Sequence, residues 1–194
     1  MKTISKTNIE EQIIKKSRFI GIVTPITSEE EIPMKLQQVK NQYKNATHYC
    51  FAYRIDNKEK CSDDGEPSKT AGLPILNILK NLELTNILCI VIRYFGGIKL
   101  GAGGLIRAYS NTAKLVCTHA TTSNLITGIY FQLSFAFDQQ KIVDSILKDS
   151  TIIQKEYTNH ITYSCKIEKI QFPAIQQQCN RWKIPIIIQK QDYL

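Results

Sequence analysis

Residues 93–104 read Arg-Tyr-Phe-Gly-Gly-Ile-Lys-Leu-Gly-Ala-Gly-Gly, between an apolar run and a helical pattern. Backbone N–H groups at the start of a helix, relieved of Cβ atoms by glycine, form a ready anion site. Gly96, Gly97, Gly101, Gly103 and Gly104 would line it for a phosphate-like guest, and Arg93, Lys99 and Arg107 would add full charges. Tyr94 would offer a ring for a stacked base. The string is not a P-loop, because Ala102 stands where lysine is required, nor a dinucleotide fingerprint, because Ile106 takes the third glycine position. A plainer alternative is a sharp turn whose glycines serve only their φ angles.

A second group lies in the polar stretch 61–70, where Asp63, Asp64 and Glu66 crowd together beside Ser62 and Thr70. These carboxylates would hold Mg²⁺ through waters or move a proton. Alternatively they would cap the following helix and hold the basic turn by ion pairs. Cys61 next to Ser62 has no adjacent base to make it a nucleophile. His48, Cys50 and Cys61 lack the four-ligand spacing of zinc, so no resident metal or cofactor is expected beyond that Mg²⁺. His48 and Arg54, on one face of an alternating strand, are supporting candidates.

The elements that must position these residues follow from periodicity. Strands are expected over 17–24, 46–55 and 86–95, and helices over 27–44, 73–84 and from Leu105 on. Thr27 and its carboxylates read as a helix start, 56–72 as a loop, and 121–124 as a polar linker. Beyond the linker come a strand from Ile129, a helix capped by Asp138, strands 151–157 and 160–168, a helix at Pro173 and a last strand, 185–190. That β-α-β-β-α-β order is the split βαβ plan. The expectation is α+β with two domains, 1–122 and 125–194, and no chemistry in the second.

Composition narrows the class. The chain has 194 residues, 43% hydrophobic and 22% charged, with a net charge of +8, which favours anionic partners. No acidic residue falls between Glu83 and Asp138, whereas Arg93, Lys99, Arg107 and Lys114 do. The longest apolar run, Ile87 to Ile92, is far short of the about 20 residues that span a bilayer, and the N-terminus shows no signal peptide. Six cysteines without a C-x-x-C pair read as reduced thiols of a cytoplasmic protein.

The strings Ala46-Thr47-His48, Ala52-Tyr53-Arg54, Cys61 to Pro67, Thr70-Ala71-Gly72 and Arg93 to Tyr109 resemble the YigZ/IMPACT family. The resemblance implies an N-terminal ribosomal-protein-S5-domain-2-like domain and a ferredoxin-like C-terminal domain similar to the last domain of the translocating elongation factor. Both kinds recur in translation factors, and eukaryotic members are linked to control of translation. It also implies glycine between Ser68 and Thr70, where this chain has Lys69. Either the loop does not need that glycine's φ, or Lys69 adds a cation. The leading expectation is a non-enzymatic RNA- or ribosome-binding factor. The alternatives are an enzyme acting on an anionic small molecule with Mg²⁺ and a protein–protein adaptor.

Overall fold

The computed structural model describes residues 1–193, and the chain divides into two compact units, Met1–Asn124 and the residues from Leu125 on. The first unit runs β1 (Lys2–Ile4), β2 (Asn8–Ile14), β3 (Ser17–Pro25), α1 (Glu31–Gln42), β4 (His48–Ile55), β5 (Lys58–Ser62), α2 (Gly72–Asn81), β6 (Ile87–Tyr94), α3 (Ala102–Thr118) and β7 (Thr122–Asn124). Its sheet is antiparallel in the order β2-β3-β6-β4-β5, and β1 pairs with β7.

Helices cover the central strands of this sheet on both faces, which is why β6 reads as unbroken apolar sequence until Arg93. Ile87, Cys89 and Val91 pack with Phe19, Cys50 and Ala52 under α2 and α3. Leu88, Ile90 and Ile92 pack with Ile20, Ile22 and Tyr53 under α1. Each buried Val, Leu, Ile or Phe among them contributes about 1.5–3 kcal/mol, so the position of β6, and with it of Arg93, is strongly determined. The T-shaped contact of Phe19 with Tyr109, 5.4 Å between centroids, holds α3 to β3.

The second unit runs β8 (Thr127–Phe135), a 3-10 turn (Phe137–Gln139), α4 (Gln140–Ile146), β9 (Thr151–Tyr157), β10 (Ile161–Glu168), α5 (Phe172–Arg181) and β11 (Ile186–Tyr193). Its antiparallel sheet has the order β11-β8-β10-β9, two interleaved split β-α-β units. The molecule is thus mixed α+β.

Several local expectations are corrected. Strand β5 lies inside the stretch expected to be a loop, and β2 lies outside the expected strands. Residues 122–124 form β7 rather than a linker. Thr27 does not cap a helix: the helix starts at Glu31, whose Oε1 accepts from the Thr27 amide and hydroxyl. Asp138 sits in the 3-10 turn and makes no capping bond. Helix α3 begins at Ala102, three residues before the expected start, so Gly103 and Gly104 belong to its first turn. Lys69 has φ +63°, so the loop does require the left-handed conformation and lysine adopts it. Among the described residues no helix is long and apolar enough to cross a membrane.

Candidate functional site

Arg93, near the end of β6, has the register parity of Cys89 and Val91 and therefore points toward α3. The ladder sets it between His48 of β4 and Phe19 of β3. Its Nη1 donates to Glu66 Oε1 at 2.6 Å, Nη2 lies 3.5 Å from Ser17 Oγ, and its guanidinium sits 5.5 and 5.4 Å from the Phe19 and Phe95 ring centres. Tyr109, on the inner face of α3, donates its hydroxyl to the same Glu66 oxygen at 2.8 Å. His48 Nε2 stands 3.8 Å from that oxygen. Burial, reinforced by the nearby Cys50 and Glu66, pushes the Tyr109 phenol well above its ordinary range, so it acts as a donor.

Glu66 and Arg93 of this network line a cavity of about 290 Å³, together with Pro67, Phe95, Lys99, Leu100, Gly101, Ala102 and Leu105. Arg93 is 5% exposed, and its Nε has no hydrogen-bond partner among the described residues. Ala102 and Leu105, in the first turn of α3, line it too. Gly101, with φ +72°, is the N-cap and makes no side-chain cap. None of the amides from Gly97 to Gly104 donates to a protein acceptor among the described residues. Such orphan donors give a helix start its positive end. Lys99 and Arg107 are exposed and form no ion pair among the described residues.

The glycines divide into two kinds. Gly97 and Gly101 have positive φ and open space around them. Gly96 serves close approach instead, since a Cβ there would stand 2.0 Å from the Lys16 carbonyl. Its amide donates to Ser17 Oγ, and the Phe95 amide donates to Thr47 Oγ1, so those two amides are not available to a guest.

Two candidates lie elsewhere. Tyr94 has the opposite parity, packs on the α1 side and donates its hydroxyl to the Lys44 carbonyl. Arg54, toward the far end of β4, donates to the Leu84 carbonyl and faces Glu59. The aromatic ring at the cavity is Phe95, 48% exposed, which sequence reasoning passed over in favour of its neighbour. Strand parity was the signal, because residue 93 and residue 94 of one strand cannot share a face.

The acidic stretch is occupied by structural tasks. Asp63 accepts from the amides of Lys69, Ala71 and Gly72 at 2.8–2.9 Å, capping α2 from a distance. Burial alone would raise its carboxyl, and the three amides outweigh that, so its pKa is lowered. Asp64 accepts from the Tyr49 amide, its own amide donates to Ser62 Oγ, and its carbonyl lies 2.8 Å from His48 Nδ1. The Thr70 hydroxyl donates to the Pro67 carbonyl. Of the three carboxylates of this stretch, Glu66 alone lines the cavity. Among the described residues no three His, Cys, Asp or Glu side chains gather as metal ligands, so Asp63, Asp64 and Glu66 do not form the Mg²⁺ cluster considered above.

The Impact N-terminal domain family matches residues 15–117, a span that contains every residue lining the cavity. "IMPACT family member YvyE" of Bacillus subtilis (strain 168) is 36% identical over 180 residues, covering 90% of this chain and 83% of that protein. "IMPACT family member YigZ" of Escherichia coli (strain K12) is 33% identical over 158 residues, covering 78% and 76%. A solved structure described as "Crystal structure of an hypothetical protein" matches 97% of each chain with a TM-score of 0.69 at 24% identity, a likeness of fold.

Proposed function

The chain belongs to the IMPACT family, and from that premise we propose that it is a non-enzymatic RNA-binding factor acting on translation, with the glycine turn as its phosphate cradle. The observation that carries this reading is the row of acceptor-free amides from Gly97 to Gly104, set beside Lys99 at the mouth of the cavity. A phosphate there satisfies the orphan N–H groups and meets positive charge from Lys99 and Arg107. Phe95, with its ring on the cavity wall, stacks an adjacent base. The absence of acidic residues from Glu83 to Asp138 keeps this surface attractive to a polyanion.

Translation enters through the family, whose two domain kinds, ribosomal-protein-S5-domain-2-like and ferredoxin-like, recur in translation factors. An Mg²⁺-dependent enzyme is the weaker reading, because Asp63 and Asp64 are held by backbone amides. The test is co-sedimentation with ribosomal subunits, with and without nuclease, alongside direct titration with single-stranded RNA. Sedimentation and RNA binding, both weakened in Lys99→Ala/Arg107→Ala, are the expected result. Association that survives nuclease with no RNA affinity identifies a protein–protein adaptor instead.

A further inference from the structure

Resting on the phosphate-cradle reading, we infer that the cavity seats a terminal phosphate monoester, the end of a strand or a mononucleotide, rather than an internal phosphodiester. The first ground is size. At about 290 Å³ the cavity is at the lower edge of small-molecule pockets. A strand that passes through needs an open groove tracking its backbone, whereas a chain end needs only a pocket with one mouth.

The second ground is donor count. Arg93 lines the cavity, its buried Nε has no partner among the described residues, and a buried donor left unpaired is costly. Lys99 and Ala102, whose amide has no acceptor among the described residues, line the same cavity. A diester presents two non-bridging oxygens to these donors, and a monoester presents three strong acceptors.

The third ground is charge. Glu66 is matched by Arg93 at 2.6 Å, which leaves Lys99 and Arg107 unbalanced beside the positive end of α3. Two unbalanced cations suit a monoester, which carries about −1.5 to −2 at pH 7, better than a singly charged diester. The Gly96 and Phe95 amides are already bonded, so the seat is on the α3 side of the turn.

The test compares one short single-stranded RNA with a 5′-phosphate, a 3′-phosphate or hydroxyls at both ends, and adenosine monophosphate against adenosine as competitors. Binding is measured for the full-length chain, for Lys99→Ala and for Arg93→Lys, which retains the charge facing Glu66 but loses Nε. A phosphorylated end should bind at least about tenfold tighter than the hydroxyl form, with the advantage reduced in both variants. If Arg93→Lys does not fold, exposed Lys99→Ala decides alone. Equal affinity for all ends, weakened alike by Lys99→Ala, overturns the monoester seat and leaves the RNA reading standing. Binding of the monophosphate without any RNA binding upholds the seat and overturns the RNA reading. Binding of neither overturns both.

Discussion

Glu66 Oε1 lies 2.6 Å from Arg93 Nη1, with only 4% and 6% of the two side chains exposed, and that contact ties the acidic loop to the end of β6. A buried ion pair contributes little net stability when replaced whole, but removing one partner strands a charge. Glu66→Ala should therefore destabilise the first unit by about 3–5 kcal/mol. Glu66→Leu/Arg93→Leu should recover most of that loss in denaturant unfolding. A single variant that costs under about 1 kcal/mol would show that water already screens the pair.

Lys69 is expected to be a site of gain. Its φ of +63° costs an L-residue about 1–2 kcal/mol, partly offset by the extra chain entropy of glycine. Lys69→Gly should raise stability by about 0.5–1 kcal/mol, read as a shift of the unfolding midpoint. Gly96→Ala should do the reverse by about 1–3 kcal/mol or more, because its Cβ would overlap the Lys16 carbonyl.

Asp63 should make stability fall in acid. Its folded pKa is depressed below the ordinary 3.8, so the contribution is complete above that value and is lost as pH drops through the lowered one. Asp63→Asn should flatten the stability profile below about pH 4 relative to the parent, while a profile unchanged there would mean the amides do not favour its charge.

The thiols should be slow. Burial pushes Cys50 and Cys165 up to about 12, and Cys61 is the one cysteine not fully buried. A disulfide reagent at pH 8 should label Cys61 alone in the native protein, and all six thiols after unfolding. Rapid native labelling of a second thiol would mark local opening of the core.

Much of this arrangement was legible in sequence, and the failures have physical reasons. The central strands β4 and β6 announce themselves because both faces are buried or alternate cleanly. The edge strands β2 and β5 do not, since solvent allows charges such as Glu10, Glu11, Lys58 and Glu59 on them. Glycine at 103 and 104 masked the start of α3, because propensity disfavours glycine in a helix while the close fit of Gly104 against Leu100 favours it. The capping role of Asp63 is among the readings available from spacing, and the parity of the strand separates Tyr94 from Arg93, whereas the approach of Phe95 to the cavity depends on the turn that follows β6.

The choice between Tyr94 and Phe95 is itself testable. Base stacking contributes about 1–3 kcal/mol per base, so Phe95→Ala should weaken RNA binding by roughly five- to 150-fold. Tyr94→Phe, which loses only the bond to the Lys44 carbonyl, should leave affinity unchanged. The opposite pattern would place the guest on the α1 side of the sheet.

The salt dependence of RNA affinity tests the cradle most directly, measured on the parent chain and on Lys99→Ala/Arg107→Ala. Both side chains are exposed and without ion pairs among the described residues, so folding should be unaffected. Each phosphate contact contributes about 0.7–1 to the slope of log affinity against log salt, so the double variant should lose about 1.4–2. An identical slope and affinity in the two proteins would contradict a phosphate at this turn.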